Sequence, residues 1–133
     1  MGVVVDSSVI VDILAGDELA ISEVLRAEEL FGSPYLSSIV IFEALVGVLH
    51  RGSASKMRAL ESLFAQYPVL TVDAADARRA AEVRVELLRT GRPVSIPDTL
   101  IAGQALSGGH VLLTKDRGLA DAAVAIGLRV KVY

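Results

Sequence analysis

GVVVDSS, at residues 2–8, is the stretch that best predicts how this chain folds. Three valines in succession suit a strand that is buried on both of its faces, as the central strands of parallel sheets are. The strand ends at once in Asp6, and Ser7 or Ser8 can cap a helix that follows. The segment therefore predicts a strand–helix unit with a carboxylate at the carboxyl end of a central strand.

The rest of the chain repeats this alternation of strands and helices. Further strands are predicted at residues 34–36, 69–72, 111–114 and 128–132. Helices are predicted at residues 8–15, 17–30, 38–50, 53–67, 73–91, 97–106 and 118–127. This alternation predicts an α/β protein in three layers, with a mainly parallel sheet between helices. The length suits one domain over residues 1–133.

Composition excludes several classes of protein. The 133 residues include no cysteine, which excludes disulfides, zinc–thiolate sites and cysteine nucleophiles and fits a reducing cytoplasm. No apolar run approaches the roughly 18 residues that a membrane span requires, and the N-terminus lacks the order of a signal peptide. A formal net charge of −3 argues against a DNA-coating protein but leaves RNA open as a substrate.

Four acids stand alone beside apolar segments. Asp6 and Asp116 follow predicted strands, and Asp98 opens a predicted helix. Glu43 is the only charged residue of the segment 37–49, which we expect to form a buried helix. An isolated carboxylate beside a core is costly unless it is neutralised, so four of them predict a shared cation. Oxygen ligands without thiols favour a hard cation such as Mg²⁺ or Mn²⁺.

The predicted fold can bring these acids together. Ligands in parallel α/β folds bind at the carboxyl ends of strands, where Asp6 and Asp116 meet if their strands are neighbours. Glu43 and Asp98 would then project from helices packed beside those ends. Mutual repulsion should raise at least one carboxyl pKa unless a metal is bound. A divalent cation held there can activate water and stabilise charge on a phosphate, so the cluster predicts phosphodiester hydrolysis.

Each of the four acids also has a structural explanation. Asp6 and Asp116 could cap helices, Asp98 could interact with a helix dipole, and Glu43 could lie on a solvated helix face. Asp12, one helical turn after Ser8, is expected to face solvent.

Several other residues are expected to be structural. Asp73 and Asp76 suit a helix cap and a first-turn acid. His50 and His110 lie too far from the acids in sequence to be argued as general bases. Gly47 and Gly103, inside helical patterns, are expected to permit close packing.

Four segments together resemble those of the PIN-domain ribonucleases. They are VDSS at residues 5–8, Glu43 in the third helix, PDTLIA at residues 97–102 and LTKD at residues 113–116. Each segment is short, but their order and spacing extend over nearly the whole chain and are fairly specific. In size and pattern, the chain is most similar to the VapC-type toxins of prokaryotic toxin–antitoxin pairs.

The resemblance implies an endoribonuclease that hydrolyses RNA phosphodiesters with Mg²⁺ or Mn²⁺. It implies that the four acids form the metal-binding catalytic site: Asp6, Glu43, Asp98 and Asp116. It also implies that Ser8 orders the first acid and that Thr114 supports Asp116. The family often has Asn at the place of Asp116 and a further acid three residues on. That later place is Leu119 here, so Asp121 is a substitute candidate for the fourth ligand.

The resemblance also implies partners. A VapB-type antitoxin would block the site, and the toxin would be a cytoplasmic homodimer paired through early helices. Six apolar positions could supply core, interface or both: Ile39, Phe42, Leu45, Met57, Leu60 and Phe64. Three basic residues flank the site in sequence and could hold RNA phosphates: Arg92, Lys115 and Arg117.

Three other hypotheses stay open from the sequence alone. An RNA-processing PIN nuclease without an antitoxin would share the site. A PIN fold could also bind RNA or protein without catalysis. A receiver-like module would use Mg²⁺ with Asp73 as phosphoacceptor after the third strand and Lys115 after a later one, but it leaves Glu43 unexplained.

Overall fold

Five parallel strands form the sheet at the centre of the computed structural model, which describes residues 1–133. The strands are β1 (Val3–Val5), β2 (Pro34–Ser37), β3 (Val69–Leu70), β4 (Val111–Thr114) and β5 (Val130–Val132). Their order in the sheet is β3-β2-β1-β4-β5, and every neighbouring pair is parallel. The predicted α/β class is confirmed, and GVVVDSS does supply the middle strand.

Seven helices connect these strands. They are α1 (Ser7–Leu14), α2 (Glu18–Phe31), α3 (Ser38–Arg51), α4 (Ala54–Phe64), α5 (Ala74–Arg89), α6 (Ile96–Gly108) and α7 (Arg117–Ala125). Crossovers between parallel strands are right-handed, so α1 to α4 cover one face of the sheet and α5 to α7 cover the other. The strand order reverses at β1, because the chain first builds toward β3 and then returns to β4.

Capping side chains explain where most helices begin. Serine caps open three of them: Ser37 for α3, Ser53 for α4 and Ser95 for α6. Asp73 and Asp76 form a reciprocal capping box at the start of α5, as expected. At α1, however, Asp6 rather than Ser7 or Ser8 occupies the cap position, and its side chain makes no capping hydrogen bond. The Asp6 carboxylate is thus free for other partners.

Two strands are shorter than predicted. β3 stops before Val72, whose backbone N–H donates instead to Ser38 Oγ at 3.3 Å. β5 begins at Val130, because the N–H of Leu128 still donates to the Ala123 carbonyl at the end of α7, at 3.0 Å. In both cases a hydrogen bond to a neighbouring helix replaces one to the sheet.

The core lies on both sides of β1 and β4, which are buried along their whole length. On one side, α6 packs closely on α5, where a Cβ at Gly103 would lie 2.6 Å from the Cα of Ala80. The close packing predicted for Gly103 is confirmed. The same prediction is wrong for Gly47, whose Cβ would meet nothing within 4 Å. None of the helices combines the length and apolar character that crossing a membrane requires.

Helix α3 is not the fully buried helix that its sequence suggests. One face packs on the core through Val40, Ala44 and Val48. The opposite face leaves three large apolar side chains more than half exposed: Phe42, Val46 and Leu49. Of the six positions assigned to core or interface, Leu60 is buried and Phe42 is mainly exposed. The others are half-buried against the core: Ile39, Leu45, Met57 and Phe64.

The strand order excludes the receiver-like hypothesis. Receiver domains have the order 2-1-3-4-5, which places their third strand beside the first. Here β3 is at the edge of the sheet and β2 separates it from β1. Asp73, which follows β3, is therefore a full strand removed from Asp6, and the two cannot form one acidic pocket.

Candidate functional site

The carboxyl ends of β1 and β4 form the centre of the candidate site. The two strands are neighbours, and their register places Val5 opposite Leu113, so Asp6 and Thr114 follow side by side. Open parallel sheets bind ligands at the point where the strand order reverses, which here is β1. Asp6 is only 3% exposed and Thr114 is fully buried. The predicted meeting of these two strand ends therefore occurs inside the protein.

Two hydroxyl groups hold one oxygen of Asp6. Ser8 Oγ and Thr114 Oγ1 each donate to Asp6 Oδ2, both at 2.8 Å. Thr114 Oγ1 in turn accepts the Asp116 N–H at 3.0 Å, and Ser8 Oγ accepts the Lys115 N–H at 3.2 Å. Ser8 thus lies where an ordering residue for the first acid was predicted. Thr114 contacts both Asp6 and Asp116, whereas the sequence predicted support of Asp116 alone.

Glu43 reaches the site from α3. Burial is the main cause that raises the pKa of its carboxyl group. The negative charges of Asp98 and Asp6 raise that pKa further, against a smaller lowering by the Ser7 hydroxyl. Glu43 is therefore half-buried and lies within electrostatic range of two other acids of the predicted set.

Asp98 reaches the site from the first turn of α6. Burial raises the pKa of its carboxyl group most, followed by the charge of Asp6. The Ser95 hydroxyl lowers that pKa through a hydrogen bond, and the charge of Asp116 raises it again. Asp6 and Asp116 thus act on Asp98, and Asp98 acts in turn on Glu43. The structure brings all four predicted acids into one electrostatic cluster.

Two buried carboxylate oxygens of this cluster have no hydrogen-bond partner, Asp6 Oδ1 and Glu43 Oε1. A buried anionic oxygen without a partner is costly, and a hard cation is the kind of ligand that satisfies it. The side chains do not form a closed coordination shell, since no group of three or more His, Asp or Glu residues is positioned to hold a metal ion. The donor set suits a divalent cation, but binding one requires the carboxylates to turn toward it.

Asp116 is a better fourth member of the cluster than Asp121. Asp116 Oδ1 accepts the Leu119 N–H at 3.1 Å and caps α7, as its structural explanation predicted. Its charge still acts on Asp98. Asp121, on the next turn of α7, is exposed as Asp116 is, but its charge raises neither the pKa of Asp98 nor that of Glu43. Asp116 is therefore both the cap of α7 and a member of the acid cluster.

The three basic residues proposed to hold RNA are all exposed. Arg92 lies in the loop before α6, and Arg117 is the first residue of α7. Neither has an ionic partner, whereas Lys115 Nζ lies 3.1 Å from Asp12 Oδ2. All three can meet an approaching phosphate, but Lys115 would do so as one half of an ion pair.

The expectation that Asp12 faces solvent is wrong. Besides pairing with Lys115, Asp12 Oδ2 accepts a hydrogen bond from the Tyr133 hydroxyl at 3.2 Å. Asp12 lies four residues after Ser8 and so shares its side of α1. Because Ser8 contacts the backbone of Lys115, that side of the helix faces the end of β4.

The two histidines lie outside the cluster, as expected. His110 Nδ1 accepts the Gly2 N–H at 3.0 Å, and its ring lies beside that of Tyr35. Burial lowers the pKa of His110, and its contacts with Gly2 and Tyr35 give it a structural role. His50 is exposed near the end of α3.

Three contributors to the site were not predicted from the sequence. Ser7 lowers the pKa of Glu43, and Ser95 lowers the pKa of Asp98. Tyr133 contacts Asp12 from 121 residues away. Ser95 had a signal, because a serine three residues before Asp98 is a typical helix cap. Ser7 and Tyr133 had none, since their contacts depend on how the helices and strands pack.

Comparison with protein families gives a match over most of the chain. The family model of the PIN domain matches residues 3–125. Two curated relatives are each named tRNA(fMet)-specific endonuclease VapC. The protein from Shigella flexneri is 33% identical over 86 residues, which are 64% of this chain and 65% of that protein. The protein from Salmonella typhimurium is 32% identical over 82 residues, 61% of this chain and 62% of that protein. Both matches thus span less than two thirds of the relatives' length.

Solved structures share the fold over the full chain. A chain of VapBC2 from Rickettsia felis, crystallised with a fragment of promoter DNA, superposes with a TM-score of 0.85 at 19% identity, covering 100% of this chain and 99% of that one. A chain of VapBC-5 from Mycobacterium tuberculosis, a member of the VapBC family of toxin–antitoxin systems, has a TM-score of 0.71 at 27% identity, covering 99% and 98%. The three-layer arrangement predicted from the sequence is that of these proteins.

Proposed function

Because this chain belongs to the PIN-domain family, we propose that it is a metal-dependent endoribonuclease and the toxin of a VapBC-type toxin–antitoxin pair. One observation carries the proposal. Asp6 is buried at the sheet's switch point, one of its oxygens has no partner, and its neighbours Glu43 and Asp98 have raised pKa values. Such a cluster is costly for the folded protein on its own and becomes favourable when a cation binds.

The residues that would hold Mg²⁺ or Mn²⁺ are the four acids of the cluster: Asp6, Glu43, Asp98 and Asp116. The unpartnered oxygens Asp6 Oδ1 and Glu43 Oε1 are the first candidates for ligands. When bound, such a cation supplies activation of water and stabilisation of charge on the phosphate that is cleaved. Asp121 remains the substitute for Asp116, to be tested by mutation.

Two hydroxyl groups fix the orientation of Asp6, the central acid. Ser8 and Thr114 both donate to Asp6 Oδ2, which leaves Oδ1 as the oxygen that can turn to a ligand. Orienting contacts of this kind typically change metal affinity or activity by about 10–100-fold when they are lost. Asp98 and Glu43 complete the site from α6 and α3, and their repulsion keeps the cluster in need of a cation.

RNA would approach a site whose own charge repels it. Arg92 precedes Asp98 in sequence, and Lys115 and Arg117 flank Asp116. All three are exposed, so they can hold phosphates of a bound RNA. Both curated relatives are named as endonucleases specific for tRNA(fMet), which makes that tRNA the first substrate to test. The residues of this chain do not by themselves specify a cleavage sequence.

Partner binding has a candidate surface next to the acids. A cleft of about 270 Å³ between α1, α3 and α4 has mostly apolar walls, with Glu43 at its edge and Arg51 and Lys56 among its lining residues. Beside it, Phe42, Val46 and Leu49 leave an apolar face of α3 uncovered. Surfaces of this kind mark protein interfaces. We assign the cleft to a VapB-type antitoxin and the apolar face of α3 to a homodimer contact, with both complexes in the cytoplasm.

The test is cleavage of purified tRNA(fMet), alongside a pool of mixed structured RNAs, with Mg²⁺ or Mn²⁺. The controls are EDTA and the Asp6→Asn protein, and Asp121→Asn tests whether the substitute candidate for the fourth ligand is needed. We expect metal-dependent cuts that Asp6→Asn loses and Asp121→Asn keeps. Cuts that survive in Asp6→Asn would contradict the proposal. Metal binding without any cleavage would instead point to a PIN fold that only binds RNA.

A further inference from the structure

Lys115 directly precedes Asp116 of the cluster in sequence, and its ammonium group pairs with Asp12, an acid outside the cluster. It lies between Thr114 and Asp116, both of which belong to the site. Only two ion pairs occur in the structure, and one of them joins Lys115 Nζ to Asp12 Oδ2 at 3.1 Å. Although four acids in need of neutralisation are nearby, none of them forms an ion pair with this ammonium.

Helix α1 contacts both the backbone and the ammonium group of Lys115. The backbone N–H of Lys115 donates to Ser8 Oγ at 3.2 Å, and its ammonium group reaches Asp12, one helical turn further on. Asp12 is itself fixed, because its Oδ2 also accepts the Tyr133 hydroxyl at 3.2 Å. The Asp12 side chain is 17% exposed and that of Lys115 is 52% exposed. The pair therefore has a sheltered acid that is held in place and a cation at the rim of the site.

A released Lys115 would have a strong alternative partner. Lysine carries a compact charge on a flexible stem of four carbons, so its head can turn while the backbone stays fixed. Asp6 Oδ1 and Glu43 Oε1 are buried and unpaired, and an ammonium group would satisfy them much as a divalent cation would. An internal counterion of this kind would compete with metal for the same oxygens.

We propose that Asp12 is a positioning residue that holds the Lys115 ammonium outside the acid cluster, so that a divalent cation rather than Lys115 neutralises the four acids. The inference rests on the metal site of the proposed function. Asp12 touches neither the metal nor RNA in this role and acts only through Lys115. Its loss should therefore change metal affinity directly, before any cleavage is measured.

The experiment is calorimetric binding of Mn²⁺ to four forms of the full chain: native, Asp12→Asn, Lys115→Met and the double variant. Removing Asp12 should weaken Mn²⁺ binding about fivefold, the equivalent of one close charge contact in water. In the Lys115→Met background the same change should weaken binding by less than about twofold. The control is Asp17→Asn, which removes another acid near Tyr133 but leaves Lys115 paired. Asparagine at position 17 can still cap α2.

Each outcome has one meaning. A fivefold loss that disappears when Lys115 is Met supports the inference. An equal loss in both backgrounds, or with Asp17→Asn, would reduce Asp12 to a general charge effect and overturn it. If Asp12→Asn does not fold, Tyr133→Phe weakens the hold on Asp12 without changing charge, and a smaller loss in the same direction is expected. Mn²⁺ binding that Asp98→Asn leaves intact would instead refute the metal site, and with it the proposed function.

Discussion

The Thr114 hydroxyl donates a hydrogen bond to Asp6 Oδ2 at 2.8 Å, across 108 residues of sequence. Both groups are buried, so neither can exchange its partner for bulk water. The same hydroxyl accepts the Asp116 N–H. One threonine therefore links the acid that follows the first strand to the acid that follows the fourth.

Replacing Thr114 by valine should destabilise the folded protein. Thr114→Val keeps the shape of the side chain but leaves the Asp6 carboxylate with one donor fewer and the Asp116 N–H without an acceptor. We expect a loss of roughly 1–3 kcal/mol in the free energy of unfolding, measured with denaturant. Thr114→Ser keeps the hydroxyl and should lose only about 0.8 kcal/mol for the missing methyl group. Equal stability of the two variants would show that the hydroxyl contributes little.

The metal-free protein should become less stable as pH rises through the range in which the cluster ionises. In the folded state the pKa values of Glu43 and Asp98 lie above their ordinary values of 4.5 and 3.8. The folded state therefore binds more protons than the unfolded state above those ordinary values, and stability falls as pH rises. The melting temperature in EDTA should fall from about pH 4 upward until the raised pKa values are passed.

Saturating Mn²⁺ supplies the control for this pH dependence. A bound cation takes over the role of the protons, so the fall in melting temperature between acidic and neutral pH should shrink or vanish. The Asp98→Asn protein should also show a weaker fall in EDTA, because it lacks one of the two groups. A fall of the same size in all three conditions would place its origin outside the cluster.

Asp98→Asn should separate activity from folding. The neutral amide removes a charge that burial and neighbouring acids disfavour, so the metal-free protein should melt at the same temperature as the native chain or higher. Cleavage should fall at least about a hundredfold, as for the loss of a group that acts on the transition state. Native cleavage by this variant, with contaminating nuclease excluded, would contradict the assignment of Asp98.

Two glycines in helices should respond oppositely to alanine. Gly103→Ala would drive a Cβ into the backbone of Ala80, at 2.6 Å, and should destabilise the protein by about 1–3 kcal/mol. Gly47→Ala meets open space and should stabilise α3 by about 0.5–1 kcal/mol through helix propensity. Denaturant unfolding of both variants checks this. A Gly103→Ala protein as stable as the native chain would show that α6 does not pack on α5 as described, and destabilisation by Gly47→Ala would show that position 47 is not open.

Local sequence signals predicted most of the fold. The apolar runs at 3–5 and 111–114 predicted buried strands because both faces of a central parallel strand are covered. Caps such as Ser53 and Asp73 placed the starts of helices correctly. β3 and β5 were predicted too long, because nothing local shows that the N–H groups of Val72 and Leu128 bond to helices rather than to the sheet.

The candidate site was predictable as a set of acids but not as a network. Each acid has a recognisable position in the local sequence, as Asp98 has at the start of a helix. The partners of Asp12 carry none, since Lys115 and Tyr133 are more than a hundred residues further along the chain. The exposed side of α3 was missed for a similar reason. An apolar helix looks the same in sequence whether its second face meets the core or a partner.

The middle position of β1 has a consequence for synthesis. Its neighbour β4 follows it by more than a hundred residues in the chain, and the hydroxyl of Thr114 comes with β4. A nascent polypeptide still lacking β4 has Asp6 but neither Thr114 nor Asp116, so it cannot assemble the four-acid cluster. The four-acid site therefore cannot form until the ribosome has translated the chain past Asp116.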